Sequence, residues 1–353
     1  MNKKIEKTIQ NIKPINFKFI EEAKKRLDNL TKPQGSLGRL EDFASQIVGI
    51  TGNLNPEIKK KVIFVMAGDH GVANEKVSAY PQEVTYQMVF NFINGGAGIN
   101  VLARHIGAKI LVVDMGVKKE FPSQKELIIK KVGYGTKNIA KGPAMSRDEA
   151  EKAVIAGIEV FEEEYNKSGI DIIGLGDMGI ANTTPSSAIV ACITNSEVED
   201  VTGKGTGIND HQLKEKIKVI KEAIKINRPD REDGFDVLSK IGGFEIGGLA
   251  GCVLAAAAHQ VPIVIDGFIS CASALITIQL APLVKEYIFA SHNSVEKGHR
   301  IAMEYLGKVP MFDLGMRLGE GTGAALGISF IEAGIKILTQ MATFSNAGVD
   351  NKS

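Results

Sequence analysis

Near the C-terminus, Arg317-Leu318-Gly319-Glu320-Gly321-Thr322-Gly323 sets one carboxylate among three glycines, directly before a long apolar-periodic segment. Glycine on either side lets backbone approach a bound ring and leaves the Glu320 side chain unobstructed, and an acid is electrostatically tolerated at a helix entrance. Such a group can collect a proton in catalysis, or it can simply cap the helix that follows. A second constellation, Gly203-Lys204-Gly205-Thr206-Gly207, precedes a helical stretch carrying Lys214 and Lys216. Backbone N–H groups of a glycine turn opening a helix form an anion nest, and a nearby lysine supplies the charge that a phosphate monoester needs; the alternative is a plain turn. The spacing is neither that of a P-loop nor that of the dinucleotide fingerprint.

Asp69-His70, Asp114, Asp177, Asp266 and Asp313 fall at or near the ends of apolar runs. None of the six histidines has HxH or HxxxH spacing, so metal ligation is not expected, and hydrogen-bonding of turn backbones is the favoured role for the aspartates. No GxSxG elbow marks a serine hydrolase. Ser78, Tyr86, Gln87 and Met88 follow the first apolar run and are read either as the lining of a flat aromatic pocket or as a capping turn with an amphipathic helix.

These groups need a frame. Four short apolar runs, Val62–Met66, Ile110–Val113, Ile172–Ile173 and Ile263–Ile265, each stop at a Gly/Asp-rich turn and read as buried parallel strands. Helical patterns lie between them at Val84–His105, Arg147–Glu164, Leu213–Ile226 and Phe244–His259, preceded by two amphipathic helices within Phe17–Gly52. Alternation of this kind predicts a doubly wound α/β sheet whose ligand cleft gathers at the carboxyl ends of the strands. Lys118–Ala144, Lys-rich and broken by glycines, reads as a long surface excursion.

Bulk composition sets limits. The 353 residues, 44% hydrophobic, can bury a large core. A net charge of +1 and an aromatic content of 6% without tryptophan argue against nucleic-acid and anionic-membrane partners. The scattered Cys192, Cys252 and Cys271 suit a reducing compartment, and Met1–Lys13 lacks the apolar core of a signal peptide, so the cytoplasm is the expected location.

In order along the chain, Lys32–Gly38, Ala67–Val72, Tyr80–Thr85, Gly95–Ala97, Gly176–Ile180 with Asn182-Thr183-Thr184, Gly203–Gly207 and Arg317–Gly323 resemble the nicotinate-nucleotide:dimethylbenzimidazole phosphoribosyltransferase family, over residues 17–345. The resemblance implies a three-layer α/β/α enzyme with a mostly parallel, Rossmann-like sheet and a smaller helical domain built from both chain ends. It divides the chain into residues 1–60, 61–310 and 311–353. It implies a homodimer without cofactor or metal that makes the lower ligand of cobalamin: nicotinate mononucleotide and 5,6-dimethylbenzimidazole become α-ribazole 5′-phosphate and nicotinate. Carried over by motif, Glu320 is the general base; Ser78, Tyr86, Gln87, Met88 and Leu318 line the benzimidazole pocket; and Met178, Gly179, Gly205, Lys216 and Ser294 hold the nucleotide and its phosphate. Asp177 stands where the family commonly has Glu, so an auxiliary acid there is one methylene short. Two rival readings are a nucleotide-dependent oxidoreductase, which the missing GxGxxG opposes, and a nucleotide sensor that lost the reaction, which an intact Glu320 opposes.

Overall fold

The computed structural model describes residues 1–350 and centres on six parallel strands. These are β1 (Lys61–Gly68), β2 (Lys109–Gly116), β3 (Leu127–Ile129), β4 (Ile172–Met178), β5 (Ile263–Ile265) and β6 (Ile288–Ala290), in the spatial order β3-β2-β1-β4-β5-β6. β1 is buried on both faces, as its unbroken apolar run demands. The order reverses between β1 and β4, whose register pairs Met66 with Asp177, so the acid at the end of β4 stands beside the end of β1 at the switch point of the sheet.

The helix Phe244–Ala258 is buried along its length and packs on β1, β2 and β4 and against the helix Arg147–Ser168. Its glycines make that approach possible: a Cβ on Gly251 would lie 2.0 Å from the Val154 carbonyl oxygen. On the other face, the helix Thr322–Gln340 packs on β4 and β5 and against the helices Gly98–Ile106 and Arg39–Thr51. It is long and apolar enough to cross a membrane, yet its apolar face is spent on this core. Helices Phe17–Asp28 and Arg39–Thr51 share a separate cluster with the end of Thr322–Gln340, joining Ala23, Leu27, Leu30, Ala44, Val48 and Leu338 from both ends of the chain.

The expected alternation of strand and helix is borne out, with three physical differences. Of the turn expected at Gly174–Gly179, residues 174–178 continue β4, because glycines at 174 and 176 let Ala324 and the Glu320 backbone rest on the strand. The stretch Val84–His105 is two helices, Glu83–Ile93 and Gly98–Ile106, parted at Asn94-Gly95-Gly96-Ala97, where Gly95 takes φ +78°. Strands β3 and β6, three residues each, are not legible in the sequence: unlike the equally short β5, neither ends at a Gly/Asp turn.

Candidate active site

At the carboxyl ends of β4, β5 and β6 the structure opens a cleft of roughly 510 Å³, within the range of small-molecule sites. Glu320, Leu318 and Arg317 enter it from the loop before the helix Thr322–Gln340, and Asp177, Met178 and Gly179 from the end of β4. Glu320 is buried, and its carboxylate Oε2 accepts the Ile99 N–H at 3.1 Å. Burial raises its proton affinity above the ordinary carboxylate value, while the Ile99 and Gly98 amides pull it back. The side chain therefore does not cap the helix that follows it. It caps the first turn of Gly98–Ile106, and the expectation of a local cap gives way to a long-range one.

Asp177 is buried, and its Oδ2 accepts from Asn182 Nδ2 at 2.8 Å. Burial, followed by the charges of Glu245 and Glu320, pushes its carboxyl up to about 7, against the Asn182 hydrogen bond. Beneath Gly179 lies a closed ion pair, His70 Nε2 to Glu245 Oε1 at 2.5 Å, in which both side chains are excluded from water. Burial works against the imidazolium, yet the charge and hydrogen bond of Glu245 hold His70 above its ordinary value. His70 is thus a strand-end residue tied to Glu245 through Nε2 alone; its Nδ1 and the Glu245 Oε2 are buried without a hydrogen-bond partner. Asp69, Asp114, Asp266 and Asp313 all accept backbone N–H groups, as the sequence suggested. Among the described residues, no three His, Cys, Asp or Glu side chains converge in a way that suits a metal ion.

The far end of the cleft is polar. Gly205, in the left-handed region at φ +53°, lines it together with Thr183, Asn182, Ser294 and Glu296. Directly below, Lys216 is fully buried; its Nζ donates to Thr183 Oγ1 at 2.7 Å and to the Gly203 carbonyl at 3.3 Å. Burial lowers its ammonium to about 8, with Glu296 opposing. The glycine loop does not open the helix of Lys216: that helix, Asp210–Asn227, starts later, with Asn209 as its cap. The helix whose first residues do reach the cleft is Thr183–Thr194, through Asn182 and Thr183.

Val84 and Met88, one helical turn apart, form an apolar wall with Tyr80, Ile180 and the exposed Leu318. Helical periodicity separates them from Tyr86, whose ring faces away and stacks on Phe121 at 4.7 Å. Gln87 is exposed and Ser78 is tied to Thr206 at 3.0 Å; neither lines the cleft. Of the five residues read as benzimidazole lining, Met88 and Leu318 line the cleft, and Ser78, Tyr86 and Gln87 do not.

A family model described as "Phosphoribosyltransferase" matches residues 12–349. Relatives named nicotinate-nucleotide–dimethylbenzimidazole phosphoribosyltransferase include one from Geobacter metallireducens, 56% identical over 343 residues covering 97% of both chains. Another, from Roseiflexus sp., is 57% identical and covers 99% of this chain and 98% of its own. The chain belongs to this phosphoribosyltransferase family. The crystal structure of CobT from Thermus thermophilus superposes on it with a TM-score of 0.91 at 40% identity, covering 95% of this chain and 100% of that one.

For a phosphoribosyltransferase, the residues that the sequence reading missed are informative. Phe268 and Ile269 line the cleft at the start of the helix Phe268–Leu280, hidden in the sequence inside one long apolar run. His292 follows the unseen β6. Arg317, beside the recognised Glu320, reaches the Gly205 carbonyl at 3.3 Å, but an exposed arginine gives no sign of its partner in sequence.

Proposed function

We propose that the protein transfers the phosphoribosyl group of nicotinate mononucleotide to 5,6-dimethylbenzimidazole, giving α-ribazole 5′-phosphate and nicotinate for the lower ligand of cobalamin. The observation that carries this reading is the company kept by Glu320: one cleft holds a buried carboxylate, an apolar wall and a lysine-backed glycine loop. An aromatic acceptor suits the wall of Val84, Met88 and Leu318, and a phosphate suits Gly205 with Lys216 beneath it.

In the reaction, a benzimidazole nitrogen lone pair forms the new bond to the ribose anomeric carbon with inversion. The bond from that carbon to the pyridinium nitrogen breaks, and its electron pair neutralises the departing nicotinate. The benzimidazole gains positive charge as it bonds, its other N–H becomes acidic, and Glu320 takes that proton. A carboxylate whose proton affinity is raised by burial is the better base, and a positioned base contributes roughly 10²- to 10⁴-fold. Alignment of the two rings on opposite faces of the anomeric carbon supplies much of the rest. Asp177, close to neutral charge balance near pH 7, is an auxiliary group, a hydrogen-bond partner for ribose.

We also propose a homodimer in the cytoplasm with a smaller helical domain assembled from residues 1–60 and 311–353, a reading that the shared cluster of Leu27, Val48 and Leu338 supports for the domain. The decisive experiment incubates the protein with nicotinate mononucleotide and a panel of 5,6-dimethylbenzimidazole, other benzimidazoles, adenine and phenols, and separates the products. Equimolar nicotinate and α-ribazole 5′-phosphate are expected; release of nicotinate with no ribosylated base in any arm overturns the transferase reading.

A further inference from the structure

We infer that Asp266 is a positioning residue for the transfer, holding the peptide that aims Glu320. The helix Thr322–Gln340 begins after Gly321, whose missing side chain cannot satisfy the free N–H groups of the first turn. Asp266, 55 residues earlier and just past β5, does so from a distance. Its Oδ1 accepts the N–H of Gly323 at 2.6 Å and of Ala324 at 3.1 Å, while Oδ2 accepts the N–H of Gly321 at 3.0 Å. The two oxygens have separate tasks. Oδ1 caps the helix, and Oδ2 fixes the residue immediately after Glu320.

That residue matters because the Glu320 backbone is strained. Its φ of +63° is left-handed and unusual for a side chain with a Cβ, a conformation that persists only where the surroundings impose it. Its carbonyl oxygen passes so close to β4 that a Cβ on Gly176 would lie 2.3 Å away. With the Gly321 N–H released, the 320–321 peptide is free to relax, and the carboxylate swings off the Ile99 amide that orients it. Asp266 is itself held: it is buried, and its own carbonyl accepts the Ser291 hydroxyl at 3.0 Å. The tight seat also explains Gly323, where a Cβ would lie 2.8 Å from Asp266 Oδ1 and 2.0 Å from His292 Nδ1. Asp266 does not line the cleft, so its influence passes through Glu320 rather than through substrate.

The inference rests on the reading of Glu320 as base, and the test separates the two. In Asp266→Asn the amide oxygen can take over the helix cap of Oδ1, while the amide nitrogen confronts the Gly321 N–H, donor against donor. The variant is expected to fold and to bind nicotinate mononucleotide within about twofold of wild type, while kcat falls at least about tenfold. Introduced into Glu320→Gln, the same change is expected to cost no further turnover, because the two residues act as a unit. Wild-type turnover in Glu320→Gln alone would sink the base reading. A drop in Glu320→Gln combined with unchanged kcat in Asp266→Asn, or with additive losses, overturns the positioning role instead. Amide exchange in the unaltered protein gives a second test that needs no variant: the Gly321 N–H is expected to be strongly protected, and exchange at the rate of an open loop overturns the proposal.

Discussion

In the general-base role proposed for it, Glu320 must hold one orientation and yet keep an oxygen free for the incoming proton; Oε2 accepts the Ile99 amide, which leaves Oε1 for that task. Glu320→Gln preserves an acceptor for that amide and removes the basicity. It should leave nucleotide affinity and melting temperature close to wild type and lower kcat by about 10²- to 10⁴-fold, read by steady-state kinetics beside calorimetric binding. Asp177 presents the opposite case, a carboxyl whose ionisation the fold resists. Its folded value of about 7 lies above that of an unfolded aspartate, near 3.9, so the unfolded chain ionises first and stability is lost as pH rises between about 4 and 7. Asp177→Asn removes that cost. Its melting temperature should match wild type at pH 4 and exceed it by several degrees at pH 8, a gain on the order of 4 kcal/mol for a carboxyl moved from about 4 to about 7. A difference of the same size at both pH values would show that packing rather than ionisation is responsible.

At the scale of elements, the site depends on where helices begin. The break at Asn94–Ala97 is what turns the start of Gly98–Ile106 toward Glu320, and the sequence reading ran one helix through it because apolar periodicity resumes beyond Gly95-Gly96. Gly98 occupies the first helical position, where alanine is intrinsically favoured, yet a Cβ there would lie 2.9 Å from Leu318 Cδ2 and 3.3 Å from Glu320 Oε2. The exposed Leu318 can move aside, but the carboxylate must give by a few tenths of an ångström. Gly98→Ala is therefore expected to keep or raise the melting temperature while lowering kcat several-fold, a separation of stability from turnover that a thermal scan and one kinetic series would show. The strands explain what else was legible. β1 and the body of β2 announce themselves by buried apolar runs, whereas β4 shows only its start at Ile172–Ile173; the rest hides behind glycines whose purpose, room for the Glu320 backbone, exists only once the chain has folded. Tyr86 and Met88 stand two residues apart in one motif, and the helix sends them to different faces, so a motif read as a block cannot say which of its residues reach the cleft.

For the molecule as a whole, the sheet order collects in one cleft residues from three strand ends, those of β4, β5 and β6, from the helix start at Thr183, from the 203–207 loop and from the 317–321 loop. A nucleotide seated there binds only the folded arrangement of these segments, so its binding energy should appear as stability of the entire fold. At 100 times its dissociation constant, a ligand that binds only the folded chain contributes about 2.7 kcal/mol. Nicotinate mononucleotide should accordingly raise the melting temperature in a saturable manner. Lys216 lies under Gly205 and bonds Thr183 and Gly203, so Lys216→Ala should shift that titration to at least about tenfold higher nucleotide concentration, and the kinetic loss should fall on KM more than on kcat. Burial lowers the Lys216 ammonium to about 8, so the wild-type titration should also weaken as pH climbs past 8, where the cation is lost, while Lys216→Ala shows no such step. A thermal titration of both proteins at pH 7 and pH 9 checks all of this at once; equal midpoints for the two at pH 7 would remove Lys216 from the phosphate end of the cleft.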